Sequence, residues 1–276
     1  MTDTTHPGKS LIFPALAGFP DAVVDVADIP RGATSVRLIE KVRNFELLPT
    51  RKGVARLWCF GVDDRRLRTI ASCESLTRLF VEGVRGDDLS QLAHLPKLES
   101  LSLESAPKIK SLDWVREFGG LKGLGVLDFR LVNSLGPLSG LTELQALAVA
   151  GSLWTRMTVE SLSPLSNLTR LKFLHLMNLK PLDGSLELLQ GLTLLEALEC
   201  ANFYPMEDFA RLAAALPQTH CAWFDPFVPL PHVACKKCGK NELVLLTGKG
   251  ARTFCQACDE PRVRKHVDAF RAIARR

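Results

Sequence analysis

The stretch LSQLAHLPKLESLSLE, residues 89–104, decides how the whole chain reads. Leu89, Leu92, Leu95 and Leu98 recur at every third residue, and Leu98, Leu101 and Leu103 then follow the pattern L-x-x-L-x-L. The second half alternates inward and outward, as a strand does. The first half keeps an apolar stripe at a spacing of three, which suits a 3-10-like or irregular return; the 3.6 period of an α-helix would rotate the stripe away. Working outward, the L-x-x-L-x-L pattern recurs as Leu76/Leu79/Val81, Leu124/Leu127/Phe129, Leu144/Leu147/Val149, Leu171/Leu174/Leu176 and Leu195/Leu198/Cys200. Val54/Leu57/Cys59 is a weaker copy, and Ala33/Val36/Leu38 and Leu216/Thr219/Cys221 are degenerate ends. Read this way, the steps between copies are 21, 22, 22, 26, 20, 27, 24 and 21 residues.

One such turn cannot bury both faces of its leucines, whereas stacked turns share a continuous core. The spacing therefore predicts an α/β solenoid of about nine turns, a horseshoe with a parallel concave sheet and a mostly non-α convex side. It resembles the leucine-rich repeats of the Sds22-like and internalin-like class, over residues 33–224. Many members carry Asn at the ninth position, where this reading finds Val84, Ala106, Val132, Ser152, Leu179 and Phe203. The turns must then be closed by backbone or water. Residues 1–32 are expected to form an N-terminal cap, and Phe209, Leu212, Ala213 and Leu216 sit at helical spacing in the last return. Cys59, Cys73, Cys200 and Cys221 fall at buried apolar positions of the template.

After residue 224 the repeats stop, and Pro226, Pro229 and Pro231 suggest a stiff linker over residues 225–234. A small zinc-ribbon domain is expected at residues 235–276. Cys235-x2-Cys238 and Cys255-x2-Cys258 are two pairs separated by sixteen residues, a spacing at which two tight turns complete a sulfur tetrahedron around structural zinc (Zn2+). His232 is a poorer fifth candidate by spacing. Leu243–Leu246 and residues 252–254 read as a hairpin, and Val263, Val267, Phe270 and Ala274 as the stripe of a terminal helix that Pro261 opens. Residues 232–276 hold 11 Lys and Arg against 4 Asp and Glu, whereas the first 231 hold 24 against 26. Four thiolates leave a zinc site at −2, so Lys236, Lys237 and Lys240 partly serve the metal. Lys249, Arg252, Arg262, Arg264, Lys265 and Arg271 remain as candidates for nucleic acid.

In each strand the residues between the leucines line the concave sheet. This reading displays Arg37, Arg56, Trp58, Phe60, Arg78, Phe80, Glu82, Asp128, Arg130, Phe173, His175, Met177 and Glu199, a set rich in the aromatic and Arg side chains that dominate binding hot spots. Ala146, Ala148 and Ala150 make a shallow middle where a partner's backbone could approach. The long step after Leu144 places an insertion at residues 151–157, whose Trp154 and Met157 are expected to reach over the rim. No nucleophile motif, dinucleotide fingerprint or P-loop accompanies the histidines and carboxylates, so catalysis is not expected. The 46% hydrophobic content supports a large core, yet no run of about 18 apolar residues occurs, so no membrane span is expected; no small-molecule substrate is expected either. Residues 1–6 carry no Lys or Arg, and Pro14 and Pro20 interrupt the next apolar stretch; a cytoplasmic location is therefore expected. The resemblance implies a protein-binding role, possible versions of which include an inhibitor or an immunity protein that occludes a toxin. Nucleic-acid association through the basic C-terminal module is the alternative.

Overall fold

The computed structural model describes residues 6–14 and 19–275. The chain begins with a single helical turn, α1 (Lys9–Ile12), before the strands β1 (Val23–Asp25), β2 (Ser35–Arg43) and β3 (Arg56–Val62). Helix α2 (Asp64–Ala71) precedes β4 (Arg78–Val84), β5 (Ser100–Glu104), β6 (Gly123–Leu127), β7 (Ala146–Ala150), β8 (Met157–Val159), β9 (Phe173–Leu176), β10 (Leu179–Pro181) and β11 (Ala197–Cys200). The chain closes with α3 (Met206–Ala215), β12 (Phe227–Pro229), β13 (Leu243–Leu246), β14 (Thr253–Cys255) and α4 (Glu260–Ala274). Nine strands form one parallel sheet in the order β1-β2-β3-β4-β5-β6-β7-β9-β11, and β8 pairs with β10 in a ladder of its own. The three-residue stripes return as 3-10 turns, among them Ser90–His94, Asp113–Glu117, Gly136–Gly140 and Ser163–Asn167. The exception is α2, where the Asp63 carboxylate caps the Arg66 N–H and Leu67 and Ile70 face inward.

The register corrects one reading. Leu101 aligns with Leu124 and Leu147, and Leu103 aligns with Val126 and Val149. The fifth copy is therefore Leu121/Leu124/Val126 rather than Leu124/Leu127/Phe129, and the steps on either side become 23 and 23 residues. Two frames were compatible because apolar residues stand at 121, 124, 126, 127 and 129. Stacking selects the frame that continues both neighbouring leucine rows and sends Phe129 into the core beside Ala106. The ninth residue of this turn is therefore Phe129 and not Val132. Gly123, Gly125 and Leu127 hold the concave positions of β6, while Asp128 and Arg130 lie beyond the strand.

What replaces the Asn ladder is a kink at the eighth position. Gly61, Gly83, Ser105, Asp128 and Asn178 all adopt positive φ, between 52° and 75°, a region that Gly, Asn and Asp visit most readily. Each kink swings the chain off the sheet and aims backbone groups at the next turn. The Ser105 N–H donates to the Leu127 carbonyl at 2.9 Å and the Asp128 N–H to that of Ala150 at 2.8 Å. Val84, Ala106, Phe129 and Leu179 are consequently free to be buried apolar residues.

Both ends are sealed. Val26 and Ile29 close the core beside β1. At the other end β12, β13 and β14 form an antiparallel sheet, and α4 packs along α3 with Phe270, Ile273 and Ala274 joining the solenoid core. Asn202 links the two parts: its Nδ2 donates to the Leu246 carbonyl at 3.0 Å and its Oδ1 accepts the Gly248 N–H at 2.7 Å. Part of the expected linker is thus the strand β12, whose Phe227, Val228 and Pro229 pair with β13. Its one proline, Pro229, is tolerated because β12 is an edge strand, where a missing N–H spoils no ladder on the open side. No helix among the described residues is long and apolar enough to cross a membrane.

The register is testable by paired truncation. Leu124→Ala removes a fully buried side chain and should cost about 2–5 kcal/mol. Leu127→Ala, at a half-buried concave position, should cost less than half of that in the same denaturant titration. Equal losses would contradict this register.

Candidate binding face and candidate metal centre

At the N-terminal end of the concave face three strands build an aromatic and cationic stack. The Arg37 guanidinium lies 4.7 Å from the centre of the Trp58 ring, and Trp58 packs on Phe60 at 5.6 Å. Trp58 Nε1 donates to a Glu82 carboxylate oxygen at 2.8 Å, which fixes the indole across the strands. Phe19 sits edge-on to Trp58 and Phe80, and the Arg56 guanidinium covers its ring at 5.5 Å. Trp58 and Phe80 are therefore buried, and only Arg37, Arg56, Phe60, Arg78 and Glu82 keep partial exposure. Glu104 follows Glu82 in register, and burial together with the charges of Glu82 and Asp128 raises its carboxyl above the usual range. Asp128 itself accepts from Arg130 Nε at 3.0 Å and Nη2 at 3.1 Å, so this pair braces a kink instead of lining the sheet.

The middle of the face is occupied by the chain's own residues 6–14. Ile12 is fully buried among Ala146, Ala148 and Phe173, with Leu11, Phe13 and Leu127 around it. The floor is built for this approach. A Cβ on Gly125 would lie 2.8 Å from Ile12 Cγ2, and one on Gly123 would lie 2.9 Å from Leu11 Cβ. The core leucines of β6 and β7 do not need these small neighbours, since they point to the opposite side of the sheet. The Ser100 hydroxyl donates to the Leu11 carbonyl, satisfying a backbone group that the sheet would otherwise leave dry. The expected N-terminal cap thus divides between Val26 and Ile29 at the edge of the core and a strap that crosses the concave sheet.

Charge fixes one end of the strap. Lys9 Nζ lies 2.9 Å from one Glu199 oxygen, and His175 Nδ1 lies 2.7 Å from the other. These contacts, the one to His175 first, hold the Glu199 carboxyl down to about 2. His6 Nε2 approaches Glu196 at 3.0 Å and its ring stacks on Phe173 at 5.5 Å. Phe13 meets the His175 ring edge-on at 5.1 Å. Beyond the strap an open cavity of about 940 Å³ remains, lined by His6, Lys9, His175, Met177, Glu196 and Trp223 among others. Met177 is exposed on its wall.

The insertion separates its two candidates. Met157 aligns with Leu179 and is buried, so it takes the core place that Leu179 takes one turn later. Trp154 is 92% exposed and Leu153 is 90% exposed, at the tip of a loop whose base is pinned by Asn178 Nδ2 donating to the Ser152 carbonyl at 2.6 Å.

In the C-terminal module the Sγ atoms of Cys235, Cys238, Cys255 and Cys258 all lie within 4.8 Å of one another. Cys238 Sγ and Cys255 Sγ are 3.7 Å apart. Four sulfurs about 2.3 Å from a central Zn2+ have tetrahedral edges of about 3.8 Å, so the donor set fits that ion in type and size. The first pair is shaped by a turn in which Gly239, at φ +75°, returns its N–H to the Cys235 carbonyl at 2.8 Å. N–H groups of Cys238 and Lys237 pull the Cys235 thiol down to about 7, favouring the thiolate a metal requires. Lys237 pairs with Asp259 at 3.1 Å, and Asp259 in turn accepts the Cys255 N–H. His232 is not part of the cluster.

No family model matches the chain. No curated protein matches it in sequence. A leucine-rich-repeat protein of Leptospira interrogans superposes on 72% of this chain and 52% of its own, with a TM-score of 0.54 and 18% identity. The solenoid has the leucine-rich-repeat fold. Two internalins of Listeria monocytogenes are also similar, one with TM-score 0.49 and 21% identity over 62% of this chain and 48% of its own. The other has TM-score 0.47 and 23% identity over 61% and 70%. The chain spans about half the length of the Leptospira protein and of the first internalin.

Within this leucine-rich-repeat frame the candidate residues fall into separate groups. Arg37, Arg56, Trp58, Phe60, Phe80 and Glu82 come together around Phe19, with Arg78 beside them on β4, whereas Phe173, His175 and Glu199 come together around the strap. Lys249, Arg252, Arg262, Arg264, Lys265 and Arg271 are all exposed, but they do not share one face. Along α4, Arg264 and Arg271 point one way, Arg262 points nearly opposite and Lys265 projects to the side. Arg264 is also paired with Glu260, and Arg262 lies over the Phe254 ring. The strap was missed because its short Lys9-Ser-Leu-Ile-Phe13 run carries no repeat spacing; the small concave residues Gly123, Gly125, Ala146 and Ala148 were the signal that something crosses there.

The Glu199 cluster gives a pH dependence with a definite sign. Its folded value lies below the ordinary 4.5, so its contribution to holding the strap is complete above about pH 4.5 and is lost as pH falls toward 2. Hydrogen exchange at the amides of residues 9–13, corrected for intrinsic rates, should rise across that window, and Glu199→Gln should already show the raised exchange at neutral pH. A pH-independent protection factor would contradict the assignment.

Proposed function

We propose that the chain is a non-catalytic, cytoplasmic protein-binding module whose leucine-rich-repeat concave face holds a polypeptide segment of a partner protein. The observation that carries this reading is that the face already accommodates a polypeptide segment, residues 6–14, by burying Ile12 over small residues and pairing Lys9 with Glu199. The partly exposed Phe60 and Arg78, with the exposed Glu104 and Met177, extend that surface at both ends, and Trp154 adds an aromatic contact at the rim. Binding of this kind works by shape and charge complementarity. An inhibitory or immunity role is the version in which the bound partner is an enzyme or toxin whose active surface is occluded.

The reading is tested by placing a photo-cross-linking amino acid at Glu104, Met177 or Trp154 in the full chain and identifying what is captured in the native host. Protein adducts at these positions, absent when the label is moved to the convex residue Glu117, are the expected result. Adducts confined to α4 and the ribbon would overturn it. Nucleic-acid association is the competing outcome, and it requires retention on DNA or RNA that weakens steeply with salt.

For the C-terminal module we propose one structural Zn2+ held by Cys235, Cys238, Cys255 and Cys258. With all four positions supplied by protein, the ion has no place for substrate and serves to hold the two turns together. Because α4 seals the solenoid, this stiffening reaches the leucine core through Phe270. Metal analysis under reducing conditions should find one zinc per chain, and Cys255→Ser should abolish it. The same variant should melt about 10 °C lower, the shift that a loss of ~4 kcal/mol produces in a chain of this size. A metal-free wild-type protein with unchanged melting would refute the assignment.

A further inference from the structure

Resting on the concave-face reading, we propose that residues 6–14 are a resident ligand of the groove, displaced when the partner docks a segment of the same chemistry: a basic residue two positions before an apolar triplet. In this chain that pattern is Lys9-x-Leu11-Ile12-Phe13.

Three features separate the strap from a structural element of the solenoid. Its apolar contacts form a small cluster of their own, in which Ile12 meets Ala146, Ala148, Phe173 and Ala197, apart from the main leucine core. Its secondary structure is one four-residue turn that pairs with no strand; it is held by side chains and by the bond from Ser100 to the Leu11 carbonyl. The solenoid also closes without it, because Val26 and Ile29 already seal the first turn. An element held this way opens locally while the sheet stays intact.

The groove's floor and walls state what it accepts. Gly123, Gly125, Ala146 and Ala148 leave a channel too shallow for anything but a close-packed backbone with one deep apolar anchor, the place of Ile12. Glu196 and Glu199 stand at one end and receive His6 and Lys9, so a cation entering with that polarity is matched and an acidic one is repelled. The open cavity beside Glu199 leaves room for a partner to extend beyond the length of the strap. Because it belongs to the same chain as the groove, the strap competes as an intramolecular ligand, at an effective concentration on the order of millimolar, so only a partner with additional contacts displaces it. This is a specificity filter as well as a cover.

The test uses the full chain and a fluorescein-labelled synthetic peptide of residues 6–14. Ile12→Asp cannot seat its charge in the apolar pocket and should vacate the groove, so the peptide should bind this variant at least tenfold tighter than wild type. Adding Gly125→Val to Ile12→Asp should abolish that gain by filling the floor. Lys9→Glu, which sets like charges against Glu196 and Glu199 without touching the solenoid core, should give a smaller gain in the same direction, and it stands in if Ile12→Asp fails to fold by circular dichroism. In wild type, amides of residues 9–13 should exchange faster than those of β5–β7. Equal peptide affinity for wild type and both single variants, binding that survives Gly125→Val, or strap amides that exchange only with global unfolding would each overturn the proposal. The two readings fail separately: cross-links at Glu104 or Met177 that are indifferent to Ile12→Asp would keep the concave-face reading and sink this one, whereas adducts confined to α4 and the ribbon would sink the concave-face reading itself.

Discussion

Each turn of the solenoid carries leucines on two sides and can hide only one of them, so no turn is stable except against a neighbour. That constraint organises the molecule. It aligns Leu57, Leu79, Leu101, Leu124, Leu147, Leu174 and Leu198 in one buried row, and it makes register a collective property of the stack instead of a choice made within each repeat. It also means that both ends are unfinished surfaces, which Val26 and Ile29 close at the start and α3, α4 and the ribbon close at the finish.

Because the leucine row satisfies the core by itself, the opposite face of the same strands is released from any duty in folding. Along that face the side chains grade from aromatic and cationic at Arg37, Trp58 and Phe60, through the small floor of Gly123, Gly125, Ala146 and Ala148, to the carboxylates of Glu196 and Glu199. A face with that gradient has an orientation: the small floor in the middle seats an apolar anchor, and Glu196 and Glu199 at one end receive cations. The strap obeys both conditions. The kinks at Ser105, Asp128 and Asn178 serve the same surface indirectly, since they turn the chain away at the strand ends by backbone bonds and leave the side chains free for other uses.

The ribbon belongs to the same economy of surfaces. A repeat stack that ended at Cys221 would expose Phe209, Leu212 and Leu216, and α4 covers them with Phe270 and Ile273. The four cysteines set the geometry of that cover, because they fix where α4 starts, directly after Cys258. A small part of the basic character of the module is consumed locally: Lys237 is tied to Asp259 and Arg264 to Glu260.

The sequence by itself determined the parallel solenoid, its 3-10 returns, the burial of Cys59, Cys73, Cys200 and Cys221, the terminal helices and the convergence of two C-x2-C turns. These follow from periodicities and spacings that act over a few residues or repeat many times, so local chemistry specifies them. Tertiary structure alone decided the rest. It chose between two equally apolar frames at residues 121–129, because only stacking against Leu101 and Leu147 distinguishes them. It moved Met157 into the core and left Trp154 outside, because Leu179 needed a partner. It laid residues 6–14 across strands nearly two hundred residues away, as Lys9 on Glu199 shows. A contact of that separation is made once, leaves no period behind, and depends on a groove that exists only after the turns have stacked.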